Sequence, residues 1–175
     1  MKKVKLATVW LDGCSGCHMS LLDMDAAIIS VVRKVDIVYG PLVDAQIFPE
    51  DVDVTLVEGA VSSQEDITKL QLIRQRTKLL VALGDCAVTS NVPGMRNTIP
   101  VNKLLQGIYV ENMHEGRIPG DHLPQLLKHS RPLQDFVKVD LCMPGCPPSS
   151  RAISGMLNDL LEGRKPDVNA KVKFG

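Results

Sequence analysis

A chain of 175 residues in which 20 Lys and Arg balance 20 Asp and Glu carries no net charge, so the electrostatic footprint expected of a nucleic-acid or anionic-lipid binder is missing. Hydrophobic residues make up 45% but aromatics only 3%, so Val, Leu, Ile, Ala and Met must build the core, as in buried parallel strands under helices; the length fits one domain over residues 1–175, with no need of disulfides. No apolar run nears the roughly 20 residues that span a bilayer, and Met1-Lys2-Lys3-Val4-Lys5 opens no signal core, so a cytoplasmic chain without nucleic acid or membrane partners is expected.

Residues 4–11 read as a first strand and run into Asp12-Gly13-Cys14-Ser15-Gly16-Cys17, whose glycines permit tight turns around the thiols. Residues 18–34 read as one helix: Met19, Leu22, Ala26, Ile29 and Val31 or Val32 recur at helical spacing, and Arg33 and Lys34 suit the carboxyl end of its dipole. Residues 35–40 form a second strand and residues 53–58 a third, closed by Gly59. Ser62-Ser63-Gln64-Glu65-Asp66 resembles a helix entry ahead of Ile67, Leu70, Ile73 and Arg74. Residues 78–83 are a strongly apolar fourth strand ending at Gly84-Asp85-Cys86, so the third cysteine follows its strand as the first pair follows theirs.

Residues 91–120, rich in Asn, Pro and Gly, form an irregular excursion with a short helix at Val101–Gln106. A second short helix is expected at residues 123–129 and a fifth strand at residues 136–141, with Pro144-Gly145-Cys146-Pro147-Pro148 as its carboxyl-end loop. The last helix covers residues 149–161 and is stopped by Gly163 and Pro166; residues 167–175 show too little periodicity to place.

This alternation predicts an α/β fold, a doubly wound parallel sheet with helices on both faces. In such a sheet the strand carboxyl ends share one edge, and right-handed crossovers set the loops that follow side by side there. Cys14, Cys17, Cys86 and Cys146 then converge, and four thiolates satisfy a cubane iron-sulfur cluster with no outside ligand. In a reducing compartment, an odd set of five cysteines points to metal or redox chemistry before disulfides. Each element alone has a plainer reading: C-x-x-C fits a thioredoxin-like pair or half a zinc site, and Cys86 a small buried apolar residue. A structural zinc site with four thiolates is the alternative for the whole set.

Cys142 is read as a buried non-ligand on or just past its strand. His18 is either an ordinary helix-entry residue or a partner for cluster sulfur or protons, while His114, His122 and His129 lack metal-like spacing. Asp12, Glu58 and Asp85 stand at strand ends as solvated or capping carboxylates, or as partner contacts, and Arg96 is assigned to the surface or an interface.

Residues 10–20, with Trp10-Leu11-Asp12-Gly13-Cys14-Ser15-Gly16-Cys17-His18, followed by Val57-Glu58-Gly59-Ala60, Gly84-Asp85-Cys86-Ala87-Val88-Thr89 and Pro144-Gly145-Cys146-Pro147-Pro148, resemble the small subunit of nickel-iron hydrogenases, in its short cytoplasmic NAD-reducing form. The resemblance implies a flavodoxin-like domain whose Cys14, Cys17, Cys86 and Cys146 bind one 4Fe-4S cluster. It further implies a large subunit carrying the nickel-iron site, iron-sulfur and flavin diaphorase subunits that reduce NAD, and electron relay between them through this chain. Relatives outside the cytoplasm carry a signal peptide and a carboxyl-terminal extension with two more clusters, neither of which is read here. The respiratory complex I relative has adjacent paired cysteines in place of C-x-x-C, and many hydrogenase small subunits have an acid where His18 stands. The fold also raises FMN as a ligand of the same edge; against it, the loop after the first strand is committed to thiolates and aromatics are scarce. A hydrogenase with another acceptor and a zinc-stabilised binding module remain the competing functions.

Overall fold

Strands and helices alternate along the chain in the computed structural model, which describes residues 3–113, 116–120 and 122–166. In order they are β1 (Val4–Trp10), α1 (Gly16–Leu22), α2 (Ala27–Lys34), β2 (Val35–Tyr39), β3 (Val52–Glu58), β4 (Val61–Ser63), α3 (Gln64–Arg76), β5 (Thr77–Leu83), α4 (Asp85–Thr89), α5 (Asn91–Gly94), α6 (Val101–Gln106), β6 (Leu126–Arg131), β7 (Leu141–Met143) and α7 (Ser150–Leu161). Five strands form one parallel sheet in the order β2-β1-β3-β5-β7. Counting only its own strands, the order is 2-1-3-4-5, the flavodoxin-like arrangement of the doubly wound class.

Side-chain alternation divides the core in two. Leu6, Leu56, Val81, Leu83 and Met143 pack on one face of the sheet with Val31 of α2 and Ile153, Met156 and Leu157 of α7. Ala7, Val9, Val57, Leu80 and Ala82 pack on the other with Leu70 and Ile73 of α3 and with Leu133. Both faces are covered, as expected of near-continuous apolar strands. The start of α3 is set locally: the Ser63 hydroxyl accepts from Asp66 N–H at 3.1 Å while the Asp66 carboxylate accepts from Ser63 N–H at 2.9 Å, a reciprocal capping box.

The structure departs from the sequence expectations at three places. The single helix expected over residues 18–34 is two, because the chain turns at residues 23–26, with Asp25 at φ 49°, a left-handed conformation that Asp tolerates better than most residues. The turn buries Met24 and leaves Met19, Leu22, Ile29 and Val32 exposed, so most of the expected apolar stripe faces outward. The helix expected at residues 123–129 is replaced by β6, which pairs antiparallel with β4; just before it, the Gln125 carbonyl accepts from Gln64 N–H at the start of α3 at 2.9 Å. Leu123, Leu126 and Leu127 have helical spacing, but Pro124 and the open edge of β4 decide the outcome. The fifth strand of the sheet begins only at Leu141, since the Asp140 carboxylate itself accepts Leu80 N–H at 2.8 Å in place of a backbone carbonyl.

The helix at Val101–Gln106 lies where expected, inside an excursion otherwise made of short turns. Arg96 is structural there: its guanidinium donates to the carbonyls of Leu127 and Ser62, both at 3.1 Å. His122 and His129 are exposed, while His114 and residues 167–175 lie outside the described residues. No helix among the described residues is long and apolar enough to cross a membrane.

Candidate functional site

The loops leaving β1, β5 and β7 meet at the carboxyl edge of the sheet, each carrying cysteine. The loop after β1 is stapled to the chain beyond β3: Leu11 N–H donates to Glu58 O at 2.9 Å, and Asp12 and Ala60 exchange backbone bonds of 3.2 and 2.7 Å. Gly59, at φ 93°, permits this crossing, since a Cβ there would meet the Leu11 and Asp12 backbones within 2.9 Å. Cys14 is exposed, and Cys17 is buried in the first turn of α1.

The other two loops are laced together. Gly84 N–H donates to Met143 O at 2.8 Å, Asp85 N–H to Gly145 O at 2.9 Å, and Gly145 N–H to the Asp85 carboxylate at 2.7 Å. These bonds extend the β5–β7 ladder past both strand ends, to the residues that directly precede Cys86 and Cys146. Gly84, at φ 84°, lies against the Cys17 sulfur, where any Cβ would overlap it. The Ser20 hydroxyl donates to the Pro148 carbonyl at 2.5 Å, tying α1 to the Cys146 loop.

Four thiols therefore share one corner of the molecule. Burial pushes the Cys17 thiol well up, and the negative charges of Glu58, Cys14, Cys86 and Cys146 act on it in the same direction. Cys86 is raised as well, first by burial and then by Cys146, Cys14 and Glu58, with a backbone hydrogen bond opposing. The shared corner follows from the backbone: Gly84 lies against the Cys17 sulfur, and the residues before Cys86 and Cys146 are hydrogen-bonded to each other. Among the described residues, no group of three or more His, Cys, Asp or Glu side chains is arranged to hold a single metal ion. Cys142 stands apart, in β7, packed against the opposite core layer from Cys17; burial raises its thiol too.

Beside Cys17, the backbone N–H of His18 donates to Glu58 at 3.0 Å and His18 Nδ1 lies 2.5 Å from the same carboxylate oxygen. Glu58 is only 2% exposed. His18 Nε2 is the one buried side-chain nitrogen or oxygen without a hydrogen-bond partner among the described residues. An apolar cavity of about 340 Å³ opens next to it, with Leu6, Leu22, Ile28, Val32 and Leu42 in its lining. The sequence marks Glu58 and Asp85 as strand-end acids, but nothing local names their partners. Gly84 and Ser20 carry no sequence signal for their roles.

The family model described as NADH ubiquinone oxidoreductase, 20 Kd subunit, matches residues 14–160, and the chain belongs to this family. It is 37% identical over 172 residues to a subunit of the vhu F420-non-reducing hydrogenase of Methanocaldococcus jannaschii, spanning 97% of this chain but only 60% of that relative's length. It is 35% identical over 178 residues to the delta subunit of the NAD-reducing hydrogenase HoxS of Cupriavidus necator, spanning 97% of this chain and 84% of the relative. A chain in the crystal structure of an NAD+-reducing NiFe hydrogenase in the H2-reduced state superposes with a TM-score of 0.95 at 36% identity, covering 99% of this chain and 100% of that one. The likeness to hydrogenase small subunits read from the cysteine motifs is borne out.

Proposed function

We propose that this chain is the electron-transfer small subunit of a soluble, cytoplasmic NAD-reducing NiFe hydrogenase, and that Cys14, Cys17, Cys86 and Cys146 hold one 4Fe-4S cluster. One observation supports this above the rest: four thiols from three loops gather at one sheet edge, in a fold matched over the full length of a chain from an NAD+-reducing NiFe hydrogenase. Thiolates are the ligands that iron-sulfur clusters take. The donor set suits such a group: all four thiols are free, and Gly84 brings backbone against the Cys17 sulfur with no side chain between.

When bound, the cluster supplies one-electron uptake and release. The chain does the rest: its thiols fix position, its laced loops resist rearrangement, and the packed sheet beneath excludes water from one side. The partners on this reading are a large subunit with the nickel-iron site, where hydrogen is split, and iron-sulfur and flavin subunits that reduce NAD. A second reading keeps the cluster but changes the electron acceptor, and the 37% identity to a subunit of an F420-non-reducing hydrogenase favours it.

Cys86→Ser in the anaerobically isolated complex should remove about four irons and four labile sulfides per complex, one paramagnetic signal of the reduced state, and hydrogen-driven NAD reduction. Oxidation of NADH by an artificial acceptor should persist. Unchanged iron, or zinc without sulfide at these cysteines, overturns the assignment. The identity of the co-purifying subunits, and which acceptor hydrogen reduces, separates the two readings.

A further inference from the structure

We infer that Asp85 is a positioning residue that sets the separation of Cys86 from Cys146, and through it the retention of the cluster; the inference rests on the cluster assignment proposed above. Asp85 directly precedes Cys86, and Gly145 directly precedes Cys146. The pair is joined twice, Asp85 N–H to Gly145 O at 2.9 Å and Gly145 N–H to Asp85 Oδ1 at 2.7 Å. Gly84 N–H to Met143 O, one rung back, runs in the same sense as Asp85 N–H to Gly145 O, from the Cys86 loop to the Cys146 loop. The carboxylate adds the bond in the opposite sense, at the position nearest the two cysteines, that fixes rotation as well as distance. The strands themselves do not reach this far, since β5 ends at Leu83 and β7 at Met143. The outermost rung of the ladder is thus completed by a side chain.

Neither partner has freedom to drift. Gly145 sits at φ 132°, and a Cβ on it would stand 2.7 Å from the Pro148 backbone, so the residue is confined to glycine and to this path. On the other loop, Gly84 abuts the Cys17 sulfur, so a shift of Asp85 would carry into the C-x-x-C turn. The Asp85 carboxylate also begins α4, where an acid is favourable, but α4 is only five residues long and that role needs no contact with Gly145. What Asp85 adds is reach: an acceptor one carbon from Cβ, at the height of the Gly145 amide.

The test compares Asp85→Ala, Asp85→Asn and Asp85→Glu in the anaerobically isolated complex, reading iron loss to a chelator, the paramagnetic line shape of the reduced state and subunit composition. Asp85→Ala is expected to lose cluster iron about 10- to 100-fold faster than the parent, the usual scale for residues that orient metal ligands, while keeping its partner subunits. Asp85→Asn keeps an acceptor oxygen at the same reach and should restore the parental rate and line shape. Asp85→Glu keeps charge and acceptor one methylene farther out and should alter the line shape; it carries the test if the alanine variant fails to assemble. Parental retention and line shape in both Ala and Glu variants overturn the inference, as does equal loss in the Ala and Asn variants, which would make charge rather than position the cause. A parent complex whose iron is insensitive to Cys86→Ser removes the cluster assignment first, and this inference with it.

Discussion

The buried carboxylate of Glu58, at the end of β3, accepts from the backbone N–H of His18 at 3.0 Å and faces His18 Nδ1 at 2.5 Å, so one side chain anchors both the start of α1 and the ring beside Cys17. A carboxylate this enclosed is tolerated because its partners replace the water it has lost. Glu58→Ala strands both donors and should destabilise the chain by about 2–3 kcal/mol, while Glu58→Gln keeps one acceptor and should cost about 1 kcal/mol. Denaturant unfolding of the three proteins checks the order; equal stability of parent and alanine variant would contradict it.

Gly84 combines a left-handed φ of 84° with contact against the Cys17 sulfur. Gly84→Ala should therefore cost about 1–3 kcal/mol from backbone strain alone, with further loss as Cys17 is displaced. Gly120→Ala is the control, since a Cβ there meets nothing within 4 Å. The unfolding midpoint should fall for the first and hold for the second.

Thiol reactivity should separate the five cysteines in cluster-free chain. Cys14 and Cys146 are exposed and should alkylate first; Cys17 and Cys86 are buried with raised thiols and should lag, and so should Cys142. A raised thiol is protonated over more of the pH range, so labelling of the slow group should keep accelerating as pH rises between about 7 and 9. Peptide mass spectrometry after timed labelling gives the order. Cys142→Ala should leave cluster iron unchanged, and its loss would make Cys142 a ligand.

Asp140 offers a pH-dependent contribution away from the cysteines. Burial works to raise its carboxyl, but the Leu80 N–H and the Arg74 guanidinium, 2.5 Å away, outweigh it and hold the group below its ordinary value of 3.8. With the folded-state value depressed, the stabilisation is complete above the unfolded value and is lost as pH falls through the folded one. Asp140→Asn should thus cost about 1–2 kcal/mol near neutrality, with the gap constant down to about pH 5 and closing below about pH 4. Guanidinium titrations of both proteins at stepped pH measure it; a gap that widens in acid would reverse the sign.

What could be read in advance follows the range of the interactions that decide it. The strands through Leu83 and the last helix are legible because their apolar patterns are local, and the capping box at Ser63 and Asp66 spans three residues. The split between α1 and α2 was hidden because Met19, Leu22, Ile29 and Val32 have the spacing of a buried stripe, yet the turn at Asp25 faces them outward. β6 and the late start of β7 depend on partners in β4 and β5, which no window around residues 123–141 contains.

The same division runs through the site. By itself the sequence determined which thiols are available, that they follow strands, and that glycines flank them, because these are properties of short contiguous motifs. Only the tertiary structure decided that Glu58 would hold His18 across forty residues, that Asp85 would meet Gly145 across sixty, and that Gly84 would be the wall behind Cys17. Those pairings exist because strand order places β1, β3, β5 and β7 side by side, and strand order is set by how the whole core packs, which no single motif encodes.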